Sequence, residues 1–342
     1  MKYFVSVCCI IKNERYLEEF IIYHHIIGVE HFYIYDNGSD HPIRDRLKNF
    51  YFERLCTIID FPGVNQQFTA YQHCIKKYGH ETKWMSIIDG DEFILPKENF
   101  WTIRDFLTMH ENAQAIGINW VNFGSSFYDD VQSGFQVDKY RYCENRQNPH
   151  IKSIFKPIYV INVNHPHFVI IQDPSKYIDC KGNIISGPFN NNITTDLLQI
   201  NHYHFRSLEE YIQKHHRGNA DGTQNVVVND NHHNLCNDIV DNYLPEKYLI
   251  HIKNYSKMIA TNPRIYCALN KDVTFDIVYQ HIFDNALKEN RPCHINDKYP
   301  TFNSQIYRTN YPELNSLNDE DLELHFINYG FDQGQISDSL II

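Results

Sequence analysis

A chain of 342 residues that is 42% hydrophobic holds enough apolar material for one large domain or two modest ones. Its net charge of −11 argues against a nucleic-acid backbone as partner, while leaving room for a local basic patch. Nine cysteines with no C-x-x-C pair read as reduced, mostly buried thiols in a reducing compartment, so a cytoplasmic location is expected.

The apolar start, Met1 to Ile11, has only Lys2 as a basic flank and no small-residue cleavage site. It reads as a strand and not as a signal peptide. No run approaches the roughly 18 apolar residues of a membrane span, so association with a membrane would need a partner.

In chain order, Tyr3–Ile11 reads as a first strand. Leu17, Phe20, Ile21, His24 and Ile27 then fall at helical spacing over 14–27, with Gly28 as the stop. His31–Tyr35 is a second strand ending in Asp36-Asn37-Gly38. Asp40 is placed to cap a short helix reaching Phe50, with Pro42 near its first turn. A third strand covers 55–59, a helix 65–78 closed by Gly79, and a fourth strand 83–88. Strands alternating with helices predict a mainly parallel sheet with right-handed crossovers. A helix at 103–107 and a strand at 115–123 follow. Residues 124–149 are polar and read as a long functional loop. Stretches 151–163 and 167–171 look strand-like, 208–215 helical, and 219–237 is rich in Asn and His. From Tyr243 the pattern turns mostly helical. We therefore expect an α/β domain over 1–242 and a helical region over 243–342 with a small module at 299–342.

The chemistry concentrates where the fourth strand ends, in Asp89-Gly90-Asp91 followed by Glu92-Phe93. Two carboxylates at i and i+2 on an extended segment share a side and repel unless a cation intervenes. A hard divalent ion with oxygen ligands answers this, and such ions also bind phosphates. Ligands in open α/β sheets bind at the carboxyl ends of strands. Against this stands the frequency of D-G as an ordinary turn. Asp36, ending the second strand, suits ribose hydroxyls, or is simply a turn residue. No G-x-G-x-x-G follows the first strand, which argues against a nicotinamide cofactor. Most of the 20 histidines have bland roles, but His202 in His202-Tyr203-His204 lies at an element end and could complete a metal shell suited to Mn²⁺. Lys214 and Arg217 make a basic helix end, favourable for the helix dipole and equally for a departing diphosphate.

Ile11-Lys-Asn-Glu14, Tyr23-His-His25, Tyr35-Asp-Asn37-x-Ser39, Asp89-Gly-Asp-Glu-Phe-Ile94, Phe123-Gly-Ser125, Asn201-His-Tyr-His204 and Arg217-Gly218 occur in this order. The ordered set resembles the family-2-like and family-92-like nucleotide-sugar glycosyltransferases of GT-A fold, over roughly residues 3 to 220. The resemblance implies a nucleoside near Asn13, Glu14 and Asp36, and Mn²⁺ or Mg²⁺ on Asp89 and Asp91 with His202 as a third ligand or a diphosphate contact. It further implies that Asp89, Lys214 and Arg217 contact the donor diphosphate and that Trp120 and Phe123 meet the sugars. The expected reaction is transfer, with inversion, from a UDP-linked sugar to a glycan, protein or other hydroxyl acceptor. Inversion needs a general base, for which Asp130 and Asp173 are candidates, with Asp129 and Glu144 behind them. The alternatives are a sugar-phosphate nucleotidyltransferase, which would want a glycine-rich first loop, and a non-catalytic carbohydrate-binding protein.

The pattern Tyr307-Arg-x-x-Tyr311-Pro-Glu-Leu314, His325-Phe326, Tyr329-Gly330 and Gly334-Gln-Ile336 resembles a short helical module appended to glycosyltransferases. Within it, 317–328 reads as an amphipathic helix stopped by Gly330, with a packing role.

Overall fold

The computed structural model describes all residues except 98–99, 146–147, 219–230, 275–277, 279–280, 282–290, 332, 334, 336 and 338–342. Much of the Asn- and His-rich stretch, and Gly334 and Ile336 of the terminal pattern, therefore lie outside the described residues. The chain divides into two compact units, Met1–Ile252 and Lys253–Ile342.

In the first unit, β1 (Tyr3–Ile11), β2 (His31–Asp36), β3 (Cys56–Asp60) and β4 (Thr82–Ile87) pair in the order β3-β2-β1-β4, all parallel. Their connections are α1 (Leu17–Ile26), the short α2 (Ile43–Arg46) and α3 (Phe50–Leu55), and α4 (Gln67–Tyr78). A turn after β4 leads into β5 (Glu92–Pro96), then α5 (Ile103–Met109) and β6 (Ala115–Asn122). The described residues of the expected loop 124–149 are irregular apart from α6 (Gln136–Lys139) and β7 (Tyr142–Cys143). Next come β8 (Ile151–Phe155), a hairpin of β9 (Val160–Val163) and β10 (Val169–Ile171), β11 (Tyr177–Asp179), β12 (Leu198–His202) and α7 (Leu208–Arg217). The sheet continues from β4 as β8-β6-β12-β5, and β11 pairs with Ala115–Gly117 of β6, opposite β8 and ahead of the β12 pairing. Strands β8 and β5 run antiparallel to their neighbours, whereas β6 and β12 run parallel to each other.

This is a mixed α/β fold with a mostly parallel sheet, as the GT-A resemblance implies. Tracing direction through the pairings puts the carboxyl ends of β1, β2, β4, β6 and β12, and the amino ends of β5 and β8, along one edge.

One sheet face packs Cys8, Ile10, Tyr33 and Tyr35 against Ala70, Tyr71 and Cys74 of α4. On α1, Phe20 meets Phe32 and Phe93 edge-on. Residues Leu17 and Glu19 to His24 are all buried, so α1 is enclosed on nearly every side. All nine cysteines are free, and all but Cys267 are buried.

Several boundaries differ from expectation for local reasons. The first helix starts at Leu17 because Asn13 adopts a left-handed φ of 53° and Glu14 turns back to accept the Tyr16 N–H. Asp40 caps no helix; it bonds the Asn13 side chain, and Asp36 accepts the Ile43 N–H at the start of α2. The strand β5 was hidden in Asp-Gly-Asp-Glu-Phe because the chain reverses within four residues.

In the second unit, α8 (Tyr243–Ile259), which begins in the first, is followed by α9 (Pro263–Leu269) and short helices at Ile295–Lys298, Ser304–Asn310 and Asp319–His325. Ile265, Leu269, Phe302, Tyr307, Leu322 and Phe326 share one core. Gly330 does not stop the last helix: a π-turn runs Phe326–Gly330, and a Cβ there would collide with the Tyr307 hydroxyl.

Candidate active site

The shared edge gathers the loops after β1, β2, β4, β6 and β12. Asn37 N–H donates to Ile11 O (2.8 Å), tying the loop after β2 to the end of β1. Asn13 bonds Ser39 and Asp40 across the same gap. The Asp36 carboxylate accepts from the Ser39 and Ile43 N–H groups, both at 2.9 Å, so it holds its own loop whatever else it contacts. Glu14 accepts from the Arg206 guanidinium at 2.9 Å.

Gly90 explains how this shelf meets the aspartates. A Cβ at Gly90 would stand 2.7 Å from Ile11 Cδ1 and 3.0 Å from Glu14 Cγ. The group that needs a glycine here is the end of β1.

Asp89 and Asp91 do not share one side. They sit in the turn between β4 and β5, closed by Glu92 N–H donating to Asp89 O (3.1 Å), and the reversal sends their carboxylates to different partners. Asp89 accepts from Lys152 Nζ (2.8 Å), Gln67 Nε2 (3.1 Å) and the Tyr71 hydroxyl (3.3 Å). Lys152 also lies 3.3 Å from Glu92, and both side chains are wholly buried. Burial pushes the Glu92 carboxyl well above its ordinary range, and the Lys152 charge only partly opposes it. Burial thus favours the neutral acid at Glu92, and Lys152 pairs most closely with Asp89.

Asp91 faces the other way. Lys214 Nζ donates to it at 2.6 Å, and His202 Nε2 lies 3.8 Å off. Burial alone would raise this carboxyl, but the Lys214 ammonium, with help from Arg206, holds it well below the usual range. Among the described residues, Asp91, His202 and His204 form a group whose ligand atoms all lie within 4.8 Å of one another. Asp89, expected beside Asp91 as a ligand, lies outside that group, and His204 lies within it.

The donor set is chemically ready for a divalent ion. Burial keeps His202 well below its ordinary pKa and lowers His204 to about 3, which favours neutral imidazoles that carry a lone pair for a metal. His202 Nδ1 bonds Asn122 Oδ1 at 3.0 Å, which fixes the hydrogen on Nδ1 and leaves Nε2 toward Asp91. One carboxylate with two imidazoles suits Mn²⁺ or a similar borderline ion.

Around this group, the Trp120 ring packs on His202 (4.3 Å), His167 (4.6 Å) and His150 (5.1 Å). Arg217 donates to Lys12 O, which brings the end of α7 to the end of β1. The structure thus unites Asn13, Glu14, Asp36, Asp89, Asp91, His202, Lys214 and Arg217 on one edge. Residues 2–242 match the sequence profile of glycosyltransferase family 92.

This chain belongs to glycosyltransferase family 92. It is 30% identical over 219 residues to a family 92 protein of Oryza sativa subsp. japonica, covering 61% of this chain and 35% of that protein. It is 27% identical over 222 residues to one of Ricinus communis, covering 62% and 37%. The family 92 chain thus spans about a third of the length of these relatives. Among solved structures it aligns with 4-diphosphocytidyl-2C-methyl-D-erythritol synthase from Anaerococcus prevotii DSM 20548, at 11% identity and a TM-score of 0.28, over 46% of this chain and 73% of that one.

The base candidates separate. Asp173 is a correction: its N–H bonds Gln114, the residue before β6, and its carboxylate bonds Ser175, so it lies at the amino end of β6, opposite the site. Asp130 lies on the loop leaving the carboxyl end of β6, near Asp129 O, which accepts the Glu209 N–H at the start of α7. Glu144 is buried and accepts the Asn122 N–H, a structural duty, and Asp129 meets His233 at 2.8 Å. Sequence reasoning missed His204, Lys152 and Arg206. His204 had a signal in its i, i+2 spacing from His202; Lys152 had one in being a lone cation inside an apolar strand. No helix among the described residues is long and apolar enough to cross a membrane.

Proposed function

We propose that this chain is a metal-dependent glycosyltransferase that moves a sugar from a UDP-linked donor to a hydroxyl of a glycan or protein acceptor, with inversion. The observation that carries it is the Asp91–His202–His204 group on the ligand-binding edge of the sheet, flanked by Lys214, in a family 92 chain. Asp91, His202 and His204 would hold Mn²⁺ or Mg²⁺. When bound, the ion supplies positive charge to the leaving diphosphate.

The chain's own residues do the rest. Asn13, Glu14 and Asp36 border the nucleoside shelf. Asp89, kept from the ion by Lys152, is left to accept from a donor hydroxyl. Lys214 and Arg217 stabilise the charge that develops as the sugar C1–O bond breaks and its electron pair passes to the diphosphate. The acceptor oxygen forms the new bond to C1 from the opposite face and gives up its proton to a base, with Asp130 as the candidate on the site side of the sheet.

The test is nucleoside-diphosphate release from a panel of UDP- and GDP-sugars with and without Mn²⁺, in the wild type and in Asp91→Asn and His204→Ala. Metal-dependent release, lost in both variants while circular dichroism is unchanged, is expected. Release in both variants equal to the wild type would overturn the metal assignment; pyrophosphate release from a nucleoside triphosphate would overturn the transferase reading.

A further inference from the structure

Lys214 does to the Asp91 group what a cation would do. Its Nζ lies 2.6 Å from Asp91 Oδ2 and 3.2 Å from His204 Nδ1, and 3.4 Å from His204 O. An ammonium is a donor only, so each of these contacts takes up a lone pair. Two of the three groups that would hold an ion are thus engaged by a cation built into the chain. Charge counting sharpens the point. Asp91 contributes −1 and Lys214 +1, and the neighbouring Arg206 is already paired with Glu14, so the Asp91–Lys214 pair is balanced before any ion arrives. A divalent ion adds +2 within a few ångströms of an ammonium, in a place where Asp91 and His202 are buried and the repulsion is poorly screened.

Lys214 also has somewhere to go. It sits in the last turn of α7, one helical turn before Arg217, and its side chain is 22% exposed. Its long flexible stem can swing from Asp91 toward a ligand lying on the same edge at little cost.

We infer that Lys214 is a positioning residue that makes metal and nucleoside diphosphate bind together: its ammonium holds Asp91 and His204 until the ion displaces it, and the diphosphate then receives it. The inference rests on the proposed reading of the site and adds an order to it. The ion alone binds weakly because it must compete with an ammonium already paired to Asp91. The diphosphate supplies both the negative charge that balances the ion and the new partner for Lys214.

The experiment is Mn²⁺ titration of the full chain, followed by the electron paramagnetic resonance of free Mn²⁺, with and without UDP. It compares the wild type with Lys214→Met, Lys214→Arg and Asp91→Asn. In the wild type, UDP should tighten Mn²⁺ by about tenfold or more, within the usual range of coupling between sites. In Lys214→Met, Mn²⁺ alone should bind about tenfold tighter than in the wild type, and the UDP enhancement should shrink correspondingly. Lys214→Arg keeps the charge and should stay close to the wild type. Equal Mn²⁺ affinity in Lys214→Met and the wild type, or a full UDP enhancement in Lys214→Met, would overturn the inference while leaving the metal site standing. Mn²⁺ affinity unaffected by Asp91→Asn would instead remove the site itself, and this inference with it. Circular dichroism and a melting curve on each variant show that the comparison is between folded proteins.

Discussion

Lys152 Nζ lies 2.8 Å from the Asp89 carboxylate, and no part of the Lys152 side chain reaches solvent. This contact decides what the Asp-Gly-Asp turn can do. It neutralises one aspartate inside the protein and leaves the other to face the histidines. Removing the ammonium would leave Asp89 beside the buried Glu92 carboxyl without its counter-ion. Lys152→Met should therefore destabilise the first unit by about 3 kcal/mol, the low end for a broken buried pair because Asp89 is partly solvated. Glu92→Gln, which mimics the protonated acid, should change stability by less than about 1 kcal/mol. Urea denaturation of both variants checks the pair, and equal losses would show that Glu92 is ionised.

Gly90→Ala should cost about 1–2 kcal/mol. The Ile11 Cδ1 clash at 2.7 Å can be relieved by rotation, but Glu14 is pinned by Arg206 and the Tyr16 N–H and cannot retreat freely. The turn must move instead, so donor turnover should fall further than the melting temperature suggests. Unchanged turnover alongside a lowered melting temperature would show that the turn tolerates displacement.

Asp36→Ala removes the acceptor for two backbone N–H groups, one of them at the start of α2. A loss of about 1–2 kcal/mol is expected, as for other lost caps. If Asp36 also binds the donor, KM for the nucleotide sugar should rise as well; a stability loss with unchanged KM would confine Asp36 to its loop.

Asp173→Ala should leave turnover unchanged, because Asp173 sits at the amino end of β6. Asp130→Asn is the informative partner measurement. A loss of turnover in the Asp173 variant with normal folding would contradict the edge assignment.

The pH dependence of stability has a named source. His24 is fully enclosed between α1 and β5, with Nδ1 at 2.8 Å from Phe20 O and Nε2 accepting the Ile94 N–H at 3.2 Å. Burial lowers its pKa from 6.5 to about 3. Between those values the unfolded chain binds a proton at this position that the folded chain does not, so the His24 contribution is complete above about 6.5 and is lost as pH falls toward 3. One such group gives a slope of up to about 1.4 kcal/mol per pH unit. His31, lowered to about 4, and His167, lowered to about 2, add to the same slope, also through burial. The share of His24 is the difference between the wild type and His24→Gln in denaturation curves from pH 7 to 4; identical slopes would show that His24 titrates normally.

Much of the first half was legible because its signals are local. Apolar runs, helical spacing and turn glycines over Tyr3 to Ile88 predict four strands, their connecting helices and a mainly parallel sheet; the structure adds the order β3-β2-β1-β4. The ordered motifs likewise point to a glycosyltransferase, and the residues they single out, Asn13, Glu14, Asp36, Asp89, Asp91, His202, Lys214 and Arg217, lie on one edge of the sheet. Beyond the fourth strand the signals weaken, because β5, β8 and β12 pair with strands far away in sequence and their register leaves no mark on their neighbours.

What sequence alone determined, then, was the chemistry available: which carboxylates, imidazoles and ammonium groups the edge could draw on. What only the tertiary structure decided was the assignment among them. Asp89 and Asp91 look equivalent in the chain, and Asp173 looks as eligible as Asp130. The turn into β5 points one aspartate at Lys152 and the other at His202, and the direction of β6 places Asp173 at the far end. Those differences arise from strand direction and from which buried charge each group meets. They are set by contacts between residues tens of positions apart, which no local pattern encodes.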